Sequence, residues 1–230
     1  MRLRPRLPGL FLVLLAACAP VVRVDVPAPT PTAAPAPAPA LRPSPVSMDL
    51  ACFAHPEIDA WERRLRSERR LWADTMHALA RGAAYLPHLR DVFSKGGLPT
   101  SLALLPAIES GFGTNACSRS GCRGLWQFKA ATARRFGLVV SRRRDDRLEP
   151  ELATRAAARY LALLHAHYGD WPLALAAYNA GEGRVDRARD RAPGASFWQL
   201  AEDRRLPRAS RDYVARFLAL VRVVDGPADC

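Results

Sequence analysis

The residues best suited to acid–base chemistry lie between Leu105 and Thr132. An apolar run, Leu102 to Ile108, ends at the carboxylate of Glu109 and predicts a buried helix. Desolvation disfavours the charged form of a carboxyl group and raises its pKa, which keeps a general acid protonated near neutral pH. Glu109 is therefore the candidate catalytic acid, and a solvated glutamate at a helix end is the alternative.

A glycine-rich loop follows the acid. It is bracketed by Cys117 and Cys122 and leads into residues 124–128, Gly-Leu-Trp-Gln-Phe, which we interpret as the start of a second helix. An acid, the small polar neighbour Ser110, a tight loop and an aromatic–amide pair together indicate a cleft that cleaves sugars.

Four motifs in this chain resemble those of the soluble lytic transglycosylase family, and most closely its membrane-bound murein transglycosylase D type. They lie within residues 80–224 and occur in the order Glu109-Ser110, Gly124-Leu125-Trp126-Gln127-Phe128, Ala177-Tyr178-Asn179-Ala180-Gly181 and Arg211-Asp212-Tyr213-Val214. The resemblance implies an all-α, lysozyme-like catalytic domain. No cofactor is expected, and the five histidines show no ligand spacing with the cysteines that would favour a zinc site.

The resemblance also implies a reaction on peptidoglycan. The β-1,4 bond between N-acetylmuramic acid and N-acetylglucosamine would be cleaved with formation of 1,6-anhydro-muramyl ends. Glu109 would act as the acid and then as the base, and the sugar's N-acetyl group would replace a second carboxylate. Two alternatives stay open: a goose-type lysozyme-like muramidase that uses Asp145 or Asp146 to position water, and a non-catalytic wall-binding lipoprotein.

By the same resemblance, a set of substrate-binding side chains surrounds the acid: Ser110, Trp126, Gln127, Phe128, Tyr178, Asn179 and Tyr213. The amides would bind N-acetyl and hydroxyl groups, the tryptophan and phenylalanine would line the cleft, and the tyrosine hydroxyls would lie near Glu109. Ser110 would orient the acetamido group or, equally, bond the backbone at the helix end.

The elements that position these residues are predicted to be helical, because no segment alternates as a strand would. Apolar spacing predicts one long amphipathic helix from Glu57 to Arg81. Pro150 is expected to start a further helix, Ser196 to cap another, and Tyr213 to lie in the closing helix. The stretch 141–147, SRRRDDR, is interpreted as a solvated charged loop.

The N-terminus predicts export and lipid anchoring. Three arginines precede an apolar run that ends at Leu15-Ala16-Ala17-Cys18, so residues 1–17 are expected to be a lipoprotein signal peptide and Cys18 the lipidated residue. An ordinary signal peptide with an unmodified cysteine is the alternative. The Pro/Ala-rich residues 18–47 would form an extended tether, and 48–230 the helical domain.

The charge of this chain fits a cell-wall partner. The formal net charge is +12, and removing three arginines with residues 1–17 leaves +9. A secreted chain rarely meets nucleic acid, so we expect none as a partner and expect instead the carboxylates of peptidoglycan stem peptides. The predicted location is periplasmic, anchored to the membrane through Cys18, in the outer membrane of a Gram-negative bacterium.

Four cysteines remain after Cys18. An even number in an oxidising compartment favours disulfides. We predict that Cys117 pairs with Cys122, stapling the loop after the acid, and that Cys52 pairs with Cys230.

Overall fold

A computed structural model describes residues 49–226, and this part of the chain folds into ten α-helices. They are α1 (Pro56–Ser67), α2 (Arg69–Gly82), α3 (Leu86–Lys95), α4 (Leu105–Glu109), α5 (Ala130–Arg135), α6 (Pro150–Tyr168), α7 (Trp171–Ala180), α8 (Glu182–Asp190), α9 (Phe197–Glu202) and α10 (Arg208–Asp225). Within these residues there is no β-strand, only three isolated bridges, so the all-α prediction is confirmed.

Helices α6, α7 and α10 form the centre of the domain. Helix α7 is buried along most of its length and packs against α6, α8 and α10. Helix α10 also covers α1, and α3 lies against α6. Large side chains such as Phe93, Phe197 and Phe217 fill the space between these helices. Helix α4, which carries the candidate acid, packs against α2 and is joined to α10 by a hydrogen bond from Tyr213 to Glu109.

Helix ends follow local chemistry. Asp170 caps α7 by accepting a hydrogen bond from the Leu173 amide at 3.0 Å. Gly169, with φ +68°, ends α6 in the left-handed region that favours glycine. Ser196 and Gln199 form a reciprocal capping box at α9, which confirms the predicted cap.

The single long helix predicted between Glu57 and Arg81 is wrong. Glu68 has an extended backbone, φ −83° and ψ 99°, which separates α1 from α2. Apolar residues continue at helical spacing on both sides of Glu68. The spacing of apolar residues therefore cannot reveal that a single residue between them has a non-helical backbone. The two shorter helices have different partners: α1 packs on α10, whereas α2 contacts α4.

The predicted helix start at Trp126 is also wrong. Residues 124–127 form a turn, Phe128 pairs with Arg123 in an isolated bridge, and α5 begins only at Ala130. Gln127 has φ +47°, a left-handed conformation that a helix does not contain. The run Leu125-Trp126-Gln127-Phe128 thus belongs to the loop that precedes α5.

None of the helices between residues 49 and 226 combines the length and the apolar character that a membrane crossing requires. The predicted signal peptide, Cys18, the tether and Cys230 all lie outside the described residues.

Candidate active site

A cleft of about 370 Å³ opens beside the C-terminal end of α4. Its walls come from α4, the loop 118–129, α5, α6, the end of α7 and the start of α8. The residues that line it are Glu109, Ser118, Ser120, Cys122, Trp126, Gln127, Phe128, Lys129, Thr132, Tyr160, Tyr178, Asn179, Ala180, Gly181 and Arg184. Among these lining residues Glu109 is the only acid.

Glu109 is the last residue of α4 and faces this cleft. Burial raises its pKa to about 7, and a hydrogen bond from Tyr213 acts in the opposite direction. The Tyr213 hydroxyl donates to Glu109 Oε1 at 2.6 Å, from a residue far along the chain in α10. A pKa near 7 leaves comparable amounts of acid and base at neutral pH, which suits one group that serves in both roles.

We expect Tyr213→Phe to move the alkaline limb of the kcat/KM profile to higher pH. Tyr213 stabilises the carboxylate form of Glu109, so its loss should raise the pKa of Glu109 and keep the acid protonated further up the pH scale. The matched control is Tyr178→Phe, since Tyr178 bonds a backbone carbonyl instead of the acid. The dependence of kcat/KM on pH, measured for both variants and for wild type, gives the shift. An alkaline limb at the same pH in Tyr213→Phe as in wild type would contradict the prediction.

Tyr178 closes the cleft from α7. Its hydroxyl donates to the Trp126 carbonyl at 2.7 Å, and its ring lies edge-on to Phe128 with centroids 6.4 Å apart. The pKa of Tyr178 is raised well above its usual value, mainly by burial and next by the charge of Glu109. Tyr178 therefore remains a neutral phenol that fixes the loop opposite the acid.

Two of the predicted ring residues belong mainly to the core. Trp126 is fully buried and its indole Nε1 donates to Thr154 Oγ1 at 2.9 Å, while Phe128 is 3% exposed. Both still line the cleft, and Phe128 also packs beside Tyr160. Their predicted contact with sugar remains a prediction, because the structure uses both rings to position the loop.

The predicted amides both line the cleft. The Gln127 amide nitrogen donates to the Gly124 carbonyl at 2.9 Å, and the Asn179 amide oxygen accepts from Ser210 Oγ at 3.0 Å. Each amide therefore keeps its other half, the oxygen of Gln127 and the nitrogen of Asn179, available on the cleft side. One acceptor and one donor on this wall match the hydrogen-bonding groups of an N-acetyl sugar.

Ser110 does not line the cleft. Its hydroxyl lies 2.9 Å from the Leu125 carbonyl and 3.3 Å from the Pro106 carbonyl. This geometry corresponds to the backbone role that the sequence left open. The bond to Leu125 ties the residue after the acid to the loop that forms the opposite wall.

The predicted disulfide between Cys117 and Cys122 is wrong, because both are free cysteines. Cys117 faces Arg123 across an antiparallel bridge. Successive residues of such a pair point to opposite faces, so Cys122 points away from Cys117. Cys122 Sγ lies instead 3.4 Å from Ser120 Oγ. The pairing of Cys52 with Cys230 remains a prediction.

The buried side chain of Arg147, and not a disulfide, holds this loop in place. Arg147, 6% exposed, donates through Nη1 to the carbonyls of Gly121 at 3.0 Å and Phe128 at 3.1 Å. Two further bonds from Nε and Nη2 reach Asp145 at 2.8 and 2.7 Å. The interpretation of residues 141–147 as a solvated loop is therefore wrong at its C-terminal end.

Neither aspartate that the muramidase alternative requires lines the cleft. The pKa of Asp145 is lowered, mainly by its hydrogen bond from Arg147. Both carboxylate oxygens of Asp145 accept hydrogen bonds from that arginine. Asp146 is 3% exposed and bonds Arg144 and the Val139 amide. Both carboxylates are occupied in holding the loop.

No motif or spacing in the sequence pointed to three of the residues that line the cleft. Tyr160 packs on Phe136 and Tyr178 deep in the cleft, whereas Lys129 and Arg184 place positive charge at its mouth. Tyr160 follows an ordinary helical spacing, and surface lysines and arginines are common throughout this basic chain. In the described range no group of three His, Cys, Asp or Glu could hold a metal ion.

Comparison with known proteins agrees with this geometry. The family described as Transglycosylase SLT domain matches residues 93–201. The membrane-bound lytic murein transglycosylase D of Escherichia coli is 36% identical over 145 residues, which is 61% of this chain and 31% of that protein. The chain thus spans about a third of the length of this curated relative.

Two solved structures share the fold. The lytic transglycosylase Slt of Pseudomonas aeruginosa, an inactive mutant, superposes with a TM-score of 0.56 at 24% identity, over 78% of this chain and 32% of that one. The 70 kDa soluble lytic transglycosylase of E. coli gives a TM-score of 0.54 at 21% identity, over 77% and 32%. The predicted lysozyme-like helical architecture is confirmed by these neighbours.

Proposed function

We propose, from the premise that this chain belongs to the transglycosylase SLT family, that it is a peptidoglycan lytic transglycosylase. Its substrate is the glycan strand, and its product carries a 1,6-anhydro-muramyl end. The observation that supports this most directly is a cleft with a single acid, whose pKa lies near 7.

The reaction needs one group that first gives and then takes a proton. Protonated Glu109 donates its proton to the glycosidic oxygen as the bond from the muramyl anomeric carbon breaks. The acetamido oxygen of the same sugar attacks that carbon and gives an oxazolinium-type intermediate. The Glu109 carboxylate then removes the proton of the muramyl 6-hydroxyl, whose oxygen displaces the acetamido oxygen and closes the anhydro ring. No water is consumed, and Glu109 ends protonated.

The surroundings of Glu109 support both halves of this cycle. Burial favours the neutral acid before bond cleavage, and the Tyr213 hydroxyl stabilises the carboxylate that follows. In this proposal the oxygen of Gln127 and the amide nitrogen of Asn179, both from residues that line the cleft, hold the acetamido group in position to attack. Hydrolysis is less well supported, since Asp145 and Asp146 lie outside the cleft lining and are bound to arginines.

Mass spectrometry of digested sacculi tests the proposal. Anhydro-muramyl ends are expected, without incorporation of ¹⁸O when the digestion is run in labelled water. Reducing ends that carry ¹⁸O would instead establish a muramidase. Release of no soluble fragments, with glycan binding retained, would establish a wall-binding protein.

We also propose that the protein is a periplasmic lipoprotein, held at the outer membrane through Cys18. The basic leader and the Leu-Ala-Ala-Cys sequence support this, and so does the membrane-bound character in the name of the E. coli relative. The mass of the mature N-terminal peptide should correspond to an acylated Cys18. In Cys18→Ser the protein should leave the membrane fraction, and an unmodified N-terminal cysteine in the native protein would contradict the proposal.

A further inference from the structure

A second cavity, of about 290 Å³, lies on the other side of α4 from the catalytic cleft. Its lining comes from α2, α10 and the backbone around the acid, and consists of Asp74, Thr75, His77, Ala78, Arg81, Ala107, Gly111 and Arg216. Ala107 and Gly111 each lie two residues from Glu109 in the chain. The last turn of α4 therefore separates the two cavities.

This position makes the second cavity a neighbour of the acid on the face of α4 that the catalytic cleft does not occupy. The catalytic cleft occupies the side of Gln127, Tyr178 and Asn179. A glycan strand that is cut at Glu109 must also continue past the acid in the other direction. The surface between α2 and α10 borders the acid through Ala107 and Gly111 and is open to a strand that extends that way. Arg216 lies one helical turn beyond Tyr213, which contacts the acid directly.

Arg216 is an arginine without a protein partner in the described part of the chain. Its Nε is buried with no hydrogen bond, and its guanidinium forms neither a hydrogen bond nor an ion pair within residues 49–226. Burial, and next the nearby charge of Arg64, lower the pKa of Arg216. A half-buried guanidinium whose charge is not balanced is costly to maintain for stability alone.

The charges around Arg216 favour an anion. Arg81 is held in place by a 2.8 Å bond from its Nε to the Gly111 carbonyl, which leaves its terminal nitrogens at the cavity. Asp74 is the single carboxylate in the lining, and it is exposed and forms no ion pair inside the described range. Two guanidinium groups therefore face one carboxylate, and planar guanidinium groups bind carboxylates through paired hydrogen bonds.

We propose that Arg216, with Arg81, forms a binding site for a carboxylate of the peptide stem on the glycan strand, on the far side of the scissile bond. The inference rests on the proposed function and adds to it a preference for strands that still carry stem peptides. Arg216 is then a specificity-determining residue and takes no part in proton transfer.

The test compares Arg216→Gln with wild type on two substrates: intact glycan strands with stem peptides, and the same strands stripped by an amidase. Stripping leaves the free lactyl carboxylate on each muramic acid. On intact strands we expect kcat/KM to fall about tenfold, mainly through KM, which corresponds to the loss of one charge-assisted hydrogen-bonded contact. On stripped strands the variant should match wild type, and Arg216→Lys should recover part of the loss.

Arg155→Gln is the matched control, because it also removes one guanidinium but from an exposed position on α6 that is paired with Glu151. It should leave both substrates unaffected, and thermal melting should show that all variants are folded. Equal losses for Arg216→Gln on both substrates would show that Arg216 acts on the glycan common to both and would overturn the stem assignment. A loss confined to stripped strands would assign the anion to the lactyl carboxylate and overturn it as well. No loss on either substrate would overturn the site altogether.

A binding experiment separates this inference from the proposed function. Calorimetric titration with a soluble N-acetylmuramyl peptide needs no turnover. Tighter binding to wild type than to Arg216→Gln supports the site even if no anhydro product is ever formed. Equal binding overturns the site, whatever the products of wild type are.

Discussion

Glu109→Gln is expected to lower glycan cleavage by a factor of about 10³ or more, because the amide can neither donate nor accept the proton that the reaction transfers. The substitution keeps the size of the side chain, and its amide oxygen can still accept the Tyr213 hydrogen bond. Glycan binding should therefore persist. Release of soluble muropeptides from sacculi measures the first effect, and sedimentation with sacculi the second.

The same substitution should stabilise the fold at alkaline pH. The pKa of Glu109 is raised from 4.5 to about 7 in the folded protein, so the carboxyl contributes stability below pH 4.5 that is lost as the pH rises through 7. Glutamine carries no such dependence. At pH 8 the variant should exceed wild type by at most about 3 kcal/mol in the free energy of unfolding. Urea unfolding at pH 4 and pH 8 checks this, and an equal difference at both would place the charge of Glu109 in solvent.

Gly124→Ala is expected to have the largest effect on stability. An added Cβ would lie 1.8 Å from the Arg147 carbonyl oxygen, and Gly124 has φ +76°. The atom that the Cβ would meet belongs to the backbone of Arg147, and the Cβ is attached to the backbone at position 124. Neither segment can move aside without displacing the loop that Arg147 holds. We expect a loss of about 3 kcal/mol or more in the free energy of unfolding, with a loss of activity because the wall bearing Gln127 shifts.

Gly121→Ala is the matched control for this prediction. Gly121 lies in the same loop at φ +79°, but an added Cβ there meets nothing within 4 Å. Its cost should be confined to the left-handed backbone, about 1 kcal/mol. Denaturant unfolding of both variants separates the cost of the close contact at position 124 from the cost of the left-handed backbone, which both positions share. Similar losses would mean that the Gly124 contact carries no energy of its own.

The sequence indicated the acid, the cleft chemistry and the helical fold because these depend on short motifs and on apolar periodicity. It could not indicate where the chain leaves a helix. Glu68 and Gln127 differ from their neighbours only in backbone angles that tertiary contacts impose. The role of Arg147 was also out of reach, since an arginine in a run of charges looks solvated until its partners are known.

The loop cysteines illustrate a limit of spacing arguments. Four residues between Cys117 and Cys122 are compatible with a disulfide, but the register of the hairpin decides where each side chain points. The bridge between Cys117 and Arg123 sets that register and directs the two side chains apart. The bidentate pair of Arg147 with Asp145 fixes the loop without any covalent link.

The bond between Tyr213 and Glu109 has a consequence for how this module can be moved between proteins. The family match ends at residue 201, yet α10 supplies the partner of the acid. Helix α10 is in turn fastened to α1 through Arg222 and Asp59, 2.7 Å apart, and α1 precedes residue 93. A chimera assembled from the matched segment alone would therefore inherit the carboxyl group without the neighbour that tunes it. A transplantable unit therefore has to include α10 and also α1, which holds α10 in place.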